Sequence, residues 1–488
     1  MGLGGKIKQM IRNWLEIQPS IGDSITIQEV NTFAGNCFRN ELWYRGEATE
    51  LHQYYTQVDD LMENTKFWAA TSSTGVNFRK IHTGLPALIV DMLADIIIDA
   101  LNKIEIANNS DAQKIWEKIQ EENSFKDLVK QSIIDVFVDC DGAFKISYDT
   151  DISQYPIIEF YAGPNVEYEY RRGRIVAVIF KTRYKKDKGN YLLIERYSKN
   201  GVSYKLFLNN KEVSLSELDE TKGLKTIIDN GFMMAIPMMF SKSKKYKGRG
   251  QSILEKKIDD FDSFDEVWSQ WIEALRDNKT QTYIPEDLLP IDANGNLMKP
   301  NTWDKRFVQV NSTTSEDKSD KVIRVSGDFE YEKMLQGYIT ALDLCLQGLI
   351  SPSTLGIDTK KLDNADAQRE KEKVTQYTRN KVIRVLEKVL PALAKISMMT
   401  YDKFNKKTIV EYEATADFGE YSSPSFEATV ETISKARPGQ VIMSIERSVE
   451  ELYGDSLTEE EKEEEVKRLK EEAGIIQKNE PNIMEQME

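Results

Sequence analysis

Side chains able to do acid–base, nucleophilic or metal chemistry are present in this chain, but not at the spacings that such chemistry needs. The two histidines, His52 and His82, lie in no HExxH, HxH or nucleophile-linked pattern. Adjacent carboxylates are common, as in Asp259 and Asp260, yet neighbours on a helix point to different faces and define neither an acid–base pair nor a two-metal site. The sequence therefore predicts a protein that is not an enzyme, with no catalytic, cofactor-binding or metal-binding residues. A metal-dependent nuclease that uses one carboxylate pair is the alternative from another class.

Other binding motifs are incomplete. No GxxxxGK[ST] sequence occurs, so no P-loop for a nucleotide is expected. The stretch DVFVDCDG from Asp135 lacks the rest of a calcium-binding loop and its closing Glu, and we expect a helix-to-strand turn there. The cysteines, Cys37, Cys140 and Cys345, are far apart in sequence and form no CxxC pair. They predict neither a disulfide framework nor a zinc site, and they indicate a reducing cytoplasm.

The chain is acidic, with a formal net charge of -15 over 488 residues. This balance argues against a broad nucleic-acid-binding surface, so any contact with DNA is expected to be local or weak. The densest basic run, from Ser241 to Gly250, is the exception. Three interpretations are open for it: contact with phosphates, salt bridges between subunits, or simple solvation. Its candidate contact residues are Lys242, Lys244, Lys245, Lys247 and Arg249.

The most apolar run, from Leu85 to Leu101, is interrupted by Asp91, Asp95 and Asp99, which argues against a transmembrane helix. The spacing of four predicts one solvated acidic face opposite a buried apolar stripe. The predicted stripe consists of Leu88, Met92, Leu93, Ile96 and Ile97. Near the start of the chain, residues 6–17 predict an amphipathic helix, which we expect to pack on protein rather than lie on a membrane.

The pattern changes after Cys140. From Gly142 to Leu208, Val, Ile, Tyr and Phe alternate with polar residues, and turn dipeptides separate the runs. Such alternation predicts antiparallel strands joined by hairpins. The predicted strand segments begin at Gly142, Tyr155, Arg174, Gly189 and Gly201. A β-rich part therefore lies between helical blocks, over residues 142–240.

Two amphipathic helices with a loop-rich insert between them come next. Apolar residues at three- and four-residue steps predict the first helix over residues 251–282 and the second over residues 328–350. In the first helix the predicted buried stripe is Leu254, Ile258, Phe261, Phe264, Trp268, Trp271 and Leu275. Its opposite, solvated face is predicted to hold Asp259, Asp262, Asp265, Glu266 and Glu273. The insert, residues 283–327, is polar and turn-rich and has a strand signal from Phe307 to Val310.

A turn, Ser-Pro-Ser-Thr-Leu-Gly from Ser351, breaks the helical pattern of the second helix. A long charged helix is predicted after it, from Asn364 to Phe404. Pro391 within this helix lacks the backbone N–H and collides with the carbonyl of Glu387, which predicts a kink. The remaining region is predicted to be helical hairpins, with an acidic run that is most simply a solvated helix face.

The order of helix, loop-rich insert, helix, turn and long helix resembles the portal proteins of tailed bacteriophages, particularly the long-tailed kind. The most specific similarity is ISPSTLGID followed by ADAQREKEKVTQYTRNK, which is similar to the tunnel loop and following helix of that family. The stretch EVNTFAGNCFRNELWYRGEATELHQYY and the stretch ISKARPGQVIMSIERSVEELYGDSLTEEEKEEEVKRLKEEAG also look portal-like. The resemblance covers nearly the whole chain.

The resemblance implies an α+β, mainly helical portal fold with a β-rich wing insert, long stem helices, a small α/β clip and a helical crown. On this sequence the implied parts are a wing at 1–250, a stem helix at 251–282, a clip at 283–327, a second stem helix at 328–350, a tunnel loop at 351–363, a long kinked helix returning to the wing at 364–424, and a crown with a flexible tail at 425–488.

The function implied by the resemblance is a homo-oligomeric ring, a dodecamer, that forms a DNA channel at one capsid vertex for genome packaging, ejection and head–tail joining. The implied partners are double-stranded DNA, a terminase motor at the clip, the major capsid and scaffolding proteins, and a head–tail adaptor, with no membrane. The ring would be assembled in the host cytoplasm and reside in the virion. Another head–tail ring or adaptor protein is an open alternative.

A channel for DNA must hold a polyanion without gripping it, because affinity rises with each phosphate that is neutralised. On the implied tunnel loop, the candidate DNA-facing residues are Ser351, Ser353, Thr354, Lys360 and Lys361. Solvation of an exposed loop is an equally open interpretation of the two lysines.

Overall fold

The computed structural model shows an α+β fold. It describes residues 32–58, 66–70, 78–107, 110–186, 189–228, 231–278, 281–285, 307–310, 323–325, 330–357, 365–419, 444–453 and 459–472. The predicted helix at residues 6–17 and the candidates Lys360 and Lys361 lie outside these residues. The chain divides into two compact units, residues 1–419 and residues 420–488.

The helices of the first unit are α1 (Phe33–Arg45), α2 (Ala48–Val58), α3 (Leu85–Asp99), α4 (Ser110–Glu122), α5 (Phe125–Asp139), α6 (Ile258–Asp277), α7 (Tyr331–Leu346) and α8 (Ala365–Phe404). Local signals set several of their ends. The hydroxyl of Thr32 accepts the N–H of Gly35 at the start of α1, and Gly46 ends that helix in a left-handed conformation, with φ 71°. Pro86 lies in the first turn of α3, where its missing N–H costs nothing.

The strands are β1 (Leu101–Ile106), β2 (Gly142–Ser147), β3 (Ile157–Ala162), β4 (Val166–Arg171), β5 (Arg174–Lys186), β6 (Gly189–Ser198), β7 (Gly201–Leu208), β8 (Lys211–Val213), β9 (Ile227–Ile228), β10 (Ala235–Met238), β11 (Gln281–Pro285), β12 (Phe307–Val310), β13 (Ile323–Val325) and β14 (Ala414–Phe418). The strands predicted from the alternation are confirmed as β2, β3, β5, β6 and β7, and the strand signal in the insert is β12. The strands β1, β4, β8, β9, β10, β11, β13 and β14 were not predicted individually.

The β-rich part forms two antiparallel sheets. β4 to β8 follow one another as neighbours in a six-stranded sheet, with β9 pairing on β7. β10, β2 and β3 form a three-stranded sheet, and β1 pairs with β14, so a strand after the long helix returns to one before the β-rich part. Consecutive hairpins explain why the alternation was readable, because each strand pairs with its sequence neighbour.

The apolar side of α3 lies in the main core of the first unit, but it is not the stripe that the spacing predicted. Leu93 and Ile97 are fully buried as expected, whereas Leu88 is exposed and Ile89 and Val90 are buried instead. The predicted acidic face is partly engaged: Tyr44 donates its hydroxyl to Asp91 at 2.8 Å, and Lys130 pairs with Asp95. The buried face is rotated because α1 and α5 pack against this helix and cover a wider arc than one stripe.

α6 and α7 pack against each other, and the small sheet of the insert lies between them in the sequence. In that sheet β11 pairs parallel with β12 and antiparallel with β13. Aromatic rings fill the helix contact: Tyr338 of α7 lies 5.1 Å from Phe264 and 5.6 Å from both Trp268 and Trp271 of α6, between ring centroids. Such a cluster buries much apolar area and stabilises the pairing of the helices.

Both helices are shorter than predicted. Residues 251–257 are not helical, because the Ser252 hydroxyl and the Ile253 N–H both donate to the carbonyl of Phe137, at 2.6 and 3.1 Å, and tie this segment to the end of α5. At the other end, Gln281–Pro285 is a strand. α7 ends at Leu346, and Gly348 follows in a left-handed conformation with φ 78°.

α8 is a single helix of 40 residues, and its bounds match the predicted long helix to within one residue. Pro391 lies inside it. Leu386, Leu390, Leu393 and Ala394 around that position are buried in the main core. The kink at Pro391 stays a prediction.

The second unit contains, among its described residues, α9 (Ile445–Tyr453) and α10 (Glu459–Glu472). Ile445 and Val449 are buried, while Glu463 and Glu464 of the acidic run are exposed. Lys470 of α10 pairs with Glu446 of α9. The acidic run is thus a solvated face of a packed helix, as predicted.

Candidate functional site

The turn between α7 and α8, residues 350–357, is here called the junction turn. It is a compact structure: the N–H of Gly356 donates to the carbonyl of Ser353 and that of Ile357 donates to Pro352, both at 3.0 Å. Gly356 has φ 69°, in the left-handed region that favours glycine. The turn therefore has a defined shape of its own before the chain reaches residues 358–364.

One buried side chain of α8 holds the junction turn in place. Thr375, which is fully buried, accepts the N–H of Ser351 at 2.9 Å and shares a hydrogen bond with the hydroxyl of Thr354 at 3.0 Å. Ile350, just before the turn, is also buried in the main core. A buried N–H without a partner is costly, so Thr375 fixes the start of the turn against the helix.

This geometry changes the set of candidate DNA-facing residues. Ser351 was predicted to face DNA, but it is buried, and its hydroxyl bonds to that of Ser353 at 2.7 Å. It anchors the turn, because its backbone is hydrogen-bonded to α8. Ser353 is exposed and Thr354 is half-buried. These two stay candidates, as do Lys360 and Lys361, which lie outside the described residues.

The basic run from Ser241 to Gly250, here called the basic loop, is closed on itself. The ends of the loop meet in an isolated antiparallel bridge between Lys242 and Gly250. The N–H of Ser243 donates to the carbonyl of Arg249 at 2.9 Å, and the Ser243 hydroxyl accepts the N–H groups of Lys245 and Tyr246. The loop therefore presents its side chains from an ordered backbone.

Arg249 points inward, away from the lysines of the same loop. Its guanidinium donates two hydrogen bonds to Asp141, at 2.7 and 3.0 Å, and reaches the carbonyls of Gly163 and Val166 at 2.7 and 2.8 Å. It also lies 3.7 Å from the ring centroid of Phe33. Every nitrogen of the planar fork is engaged inside the protein, so the predicted phosphate contact is corrected for Arg249.

Asp141 is the carboxylate that holds the Arg249 guanidinium inside the protein. Its side chain is fully buried, and it also accepts the backbone N–H of Gly250 at 2.5 Å. Burial raises the pKa of Asp141, and the charge of Arg249 opposes that rise. Asp141 lies in the predicted helix-to-strand turn, where Cys140 has φ 78°. Sequence reasoning missed this pair because its members are 108 positions apart.

Two acidic residues of α6 that were predicted to be solvated are buried. Asp262 accepts the backbone N–H groups of Phe67 and Trp68, at 3.0 and 3.4 Å, and burial raises its pKa. Asp265 lies 2.6 Å from His82 Nδ1. The prediction was wrong for these two because residues 66–70 and 78–84 pack across the polar side of the helix and supply donors to the carboxylates.

The His82–Asp265 contact is a packing element. Asp265 also accepts the N–H and the hydroxyl of Thr83, at 3.0 and 2.9 Å, and the indole N–H of Trp68 at 3.2 Å. The backbone of Gly46 lies against the imidazole, where a Cβ would come within 2.6 Å of the ring. With donors on all sides, Asp265 ties α6 to the segment before α3. The Thr83 hydroxyl bonds to Asp265, and among the described residues no hydrogen bond joins it to the imidazole, so these contacts do not form a nucleophile–base pair.

Within the described ranges, no group of three or more His, Cys, Asp or Glu side chains is arranged to hold a metal ion. Cys37 and Cys140, far apart in sequence, are both buried with their sulfurs 4.0 Å apart, and both thiols are free. Burial raises the pKa of Cys37. Among the described helices, none is long and apolar enough to cross a bilayer.

No protein-family model matches the chain. No curated protein matches it either. Among solved structures, it is similar to a chain in the virion of a native gene transfer agent particle, at 12% identity and a TM-score of 0.41, over 75% of this chain and 89% of that one. It is also similar to a chain in the neck of the native particle, computed with C12 symmetry, at 12% identity and a TM-score of 0.40, over 76% of this chain and 90% of that one. A chain in the neck of the empty particle, computed with C6 symmetry, is similar at 10% identity and a TM-score of 0.37, over 75% of this chain and 90% of that one.

Proposed function

We propose that this chain is a phage portal protein, the subunit of a ring that forms a DNA channel at one capsid vertex. The broader form of the proposal is a non-enzymatic structural protein of the head–neck region of a phage-like virion. The observation that carries it is the order of described elements: α6, a small three-stranded sheet, α7, the junction turn, and the 40-residue α8. That is the order of stem, clip, stem, tunnel loop and long helix that the resemblance to portal proteins implies.

The charges of the chain suit passage of DNA rather than tight binding. The net charge of -15 repels a polyanion overall, and strong phosphate binding would oppose sliding. At the junction turn, neutral hydroxyls of Ser353 and Thr354 are the described groups able to face DNA, with Lys360 and Lys361 beyond them. In this proposal the turn guides or seals against DNA through transient contacts.

The work of translocation is assigned to another protein, because the sequence contains no P-loop. The proposed partners are therefore a terminase motor docked on the clip, the capsid and scaffolding proteins around the wing, and a head–tail adaptor. The ring is expected to be a homo-oligomer of twelve subunits, a number that rests on the resemblance to portal proteins alone.

Electron microscopy of the purified full-length chain tests the proposal. Closed rings with a central channel that admits a DNA duplex are expected, and a species that remains monomeric at high protein concentration would overturn it. Images of assembled particles separate a portal from an adaptor: a portal ring lies at a capsid vertex in contact with the shell, and a ring found only below the vertex is an adaptor.

The nuclease alternative has its own test. Incubation of the purified chain with duplex DNA and Mg²⁺ or Mn²⁺ should leave the DNA intact. Cleavage that disappears in the Asp259→Asn/Asp260→Asn variant, while a Glu463→Gln/Glu464→Gln control still cleaves, would favour the enzyme. The control changes the same number of carboxylates on a different helix.

A further inference from the structure

The basic loop divides its five cations into one anchor and four outward-facing lysines. Arg249 is held inside by Asp141, while Lys242, Lys244, Lys245 and Lys247 are all exposed. The backbone bonds that close the loop keep these four lysines on a fixed scaffold. A fixed scaffold lowers the conformational entropy that is given up when charged side chains bind a partner.

A second set of cations lies along one side of α8. Lys381, Arg384 and Lys388 are exposed and follow each other at steps of three and four residues, which places them on the same face of the helix. Tyr377, one turn earlier on that face, is 71% exposed. The opposite side of the helix is buried in the core through Val382, Leu386 and other apolar residues. This row is therefore the solvent face of an otherwise embedded helix.

The two sets meet. The ammonium of Lys381 donates a hydrogen bond to the hydroxyl of Ser241, the first residue of the basic loop, at 2.5 Å. α8 packs against β10, the strand that leads into the loop. The loop lysines and the α8 row therefore adjoin at Lys381, and together they are here called the basic surface. It consists of Lys242, Lys244, Lys245, Lys247, Lys381, Arg384 and Lys388.

The basic surface groups seven cations in an otherwise acidic protein. Some exposed lysines elsewhere pair with carboxylates, as Lys205 does with Glu212 at 3.3 Å and Lys222 with Asp219 at 2.8 Å. In the described part of the chain, no ion pair to a carboxylate is found for the seven cations of the basic surface; the exposed acid nearest to them along α8 is Glu387. Seven cations without internal counter-charges repel one another, and a polyanion relieves that repulsion.

We propose that the basic surface binds the phosphate backbone of duplex DNA without reading its sequence. From Lys381 to Lys388 the helix rises about 10 Å, and duplex DNA carries one negative charge per about 1.7 Å of its axis, so several phosphates face the row at once. Lysine is a point-like, flexible donor suited to phosphates rather than to the edges of bases. The choice of DNA among polyanions rests on the proposed function; the surface itself rests on the observed charges.

The binding is expected to be weak and steeply dependent on salt. Each bound phosphate releases counter-ions, whereas the net charge of -15 opposes the approach of DNA everywhere else. Weak phosphate contacts of this kind would keep DNA near the surface and still allow it to slide. A protein through which DNA passes needs both properties.

The test is the fluorescence anisotropy of a labelled duplex of arbitrary sequence, titrated with the full-length chain over a series of salt concentrations. Two variants divide the surface: Lys242→Gln/Lys244→Gln/Lys247→Gln in the loop and Lys381→Gln/Arg384→Gln/Lys388→Gln on α8. The control, Lys205→Gln/Lys211→Gln/Lys222→Gln, changes the net charge by the same amount using exposed lysines of the six-stranded sheet and the segment after it.

We expect each surface variant to weaken binding by at least about tenfold at low salt. A plot of log affinity against log salt concentration has a negative slope, and the magnitude of that slope should decrease by about one for each phosphate that the variant no longer neutralises. The control should bind within about twofold of the unaltered chain. Equally weakened binding in the control and the surface variants would show a general charge effect and overturn the proposal.

Electron microscopy of the same variants separates this inference from the proposed function. Rings that persist in both surface variants while DNA binding falls support the basic surface as a DNA site. Rings that disappear while DNA affinity is unchanged would identify the surface as an interface between copies and overturn the DNA assignment. If the unaltered chain never forms rings, the portal proposal fails, yet the DNA titration still decides whether the surface binds a polyanion.

Discussion

The basic loop and the junction turn are both polar loops that the sequence marks as contact sites, and different interactions hold them in place. The basic loop is anchored by a buried ion pair, Arg249 with Asp141, reinforced by carbonyl oxygens. The junction turn is anchored by neutral hydrogen bonds from Ser351 and Thr354 to Thr375. In the basic loop one inward residue, Arg249, is the anchor and the lysines are exposed. In the junction turn Ser351 and Thr354 both bond to Thr375, and Ser353 is exposed.

The difference between the loops is the cost of removing the anchor. A buried charge that loses its partner stays in a low-dielectric environment, whereas a neutral N–H that loses its acceptor forfeits one hydrogen bond. The basic loop should therefore be the stiffer of the two and the more damaged by a change at its anchor. The junction turn should tolerate change, as suits a segment proposed to adjust around moving DNA.

The largest effect is expected for Arg249→Met, which keeps much of the side-chain volume and removes the guanidinium. Because Asp141 is then buried without a counter-charge, the free energy of unfolding should fall by about 3–5 kcal/mol, measured by chemical denaturation. Lys247→Met, in the same loop but exposed, should change it by less than about 0.5 kcal/mol. Similar destabilisation in both variants would contradict the division of the loop into anchor and contact residues.

The pH dependence of Arg249→Met sharpens this prediction. Burial raises the pKa of Asp141 above its ordinary value, and removing Arg249 takes away the charge that opposes the rise. A carboxyl with a raised folded-state pKa favours the folded state when protonated and disfavours it as the pH rises through that pKa. The loss of stability in the variant should therefore be full at neutral pH and shrink as the pH is lowered toward the ordinary pKa of Asp.

Thr375→Val should have a smaller effect, because it removes only a hydroxyl from the buried anchor of the junction turn. The N–H of Ser351 and the hydroxyl of Thr354 lose their partner, and the free energy of unfolding should fall by about 2 kcal/mol. Thr400→Val is the matched control: Thr400 is equally buried in α8, but its hydroxyl only back-bonds to the carbonyl of Ile396 at 2.8 Å. If Thr400→Val lowered the free energy of unfolding as much as Thr375→Val does, the hydrogen bonds of Thr375 to the junction turn would not explain the loss.

Much of the fold was predictable because its signals are local. Alternation over about ten residues gives β5, β6 and β7, since each pairs with its sequence neighbour, and the long charged pattern after the turn gives α8. Most of the buried stripe of α6 was predictable for the same reason, because Ile258, Phe261 and Phe264 recur at helical spacing and are buried. The prediction was wrong for Leu275, near the end of the helix, which is exposed.

The anchors of the candidate sites were not predictable, because they depend on contacts across long separations. Helical periodicity shows which residues of α6 share a face, but not that residues 66–83 cover its polar side and bury Asp262 and Asp265. Five cations close together look equivalent in sequence, and only the position of Asp141 distinguishes Arg249 from the lysines. Ser351 likewise looks as exposed as Ser353 until Thr375 is placed beneath it.

The smallest expected effect tests whether the junction turn depends on its backbone conformation. Gly356→Ala meets no atom within 4 Å, but its φ of 69° strains a side-chain-bearing residue, so the free energy of unfolding should fall by about 1 kcal/mol. Gly337→Ala is a control of opposite sign: Gly337 is in α7 with open space around it, and alanine there should stabilise the protein by about 1 kcal/mol. If Gly356→Ala also stabilised the protein, the turn would not need the left-handed conformation, and the neutral anchor at Thr375 alone would set its shape.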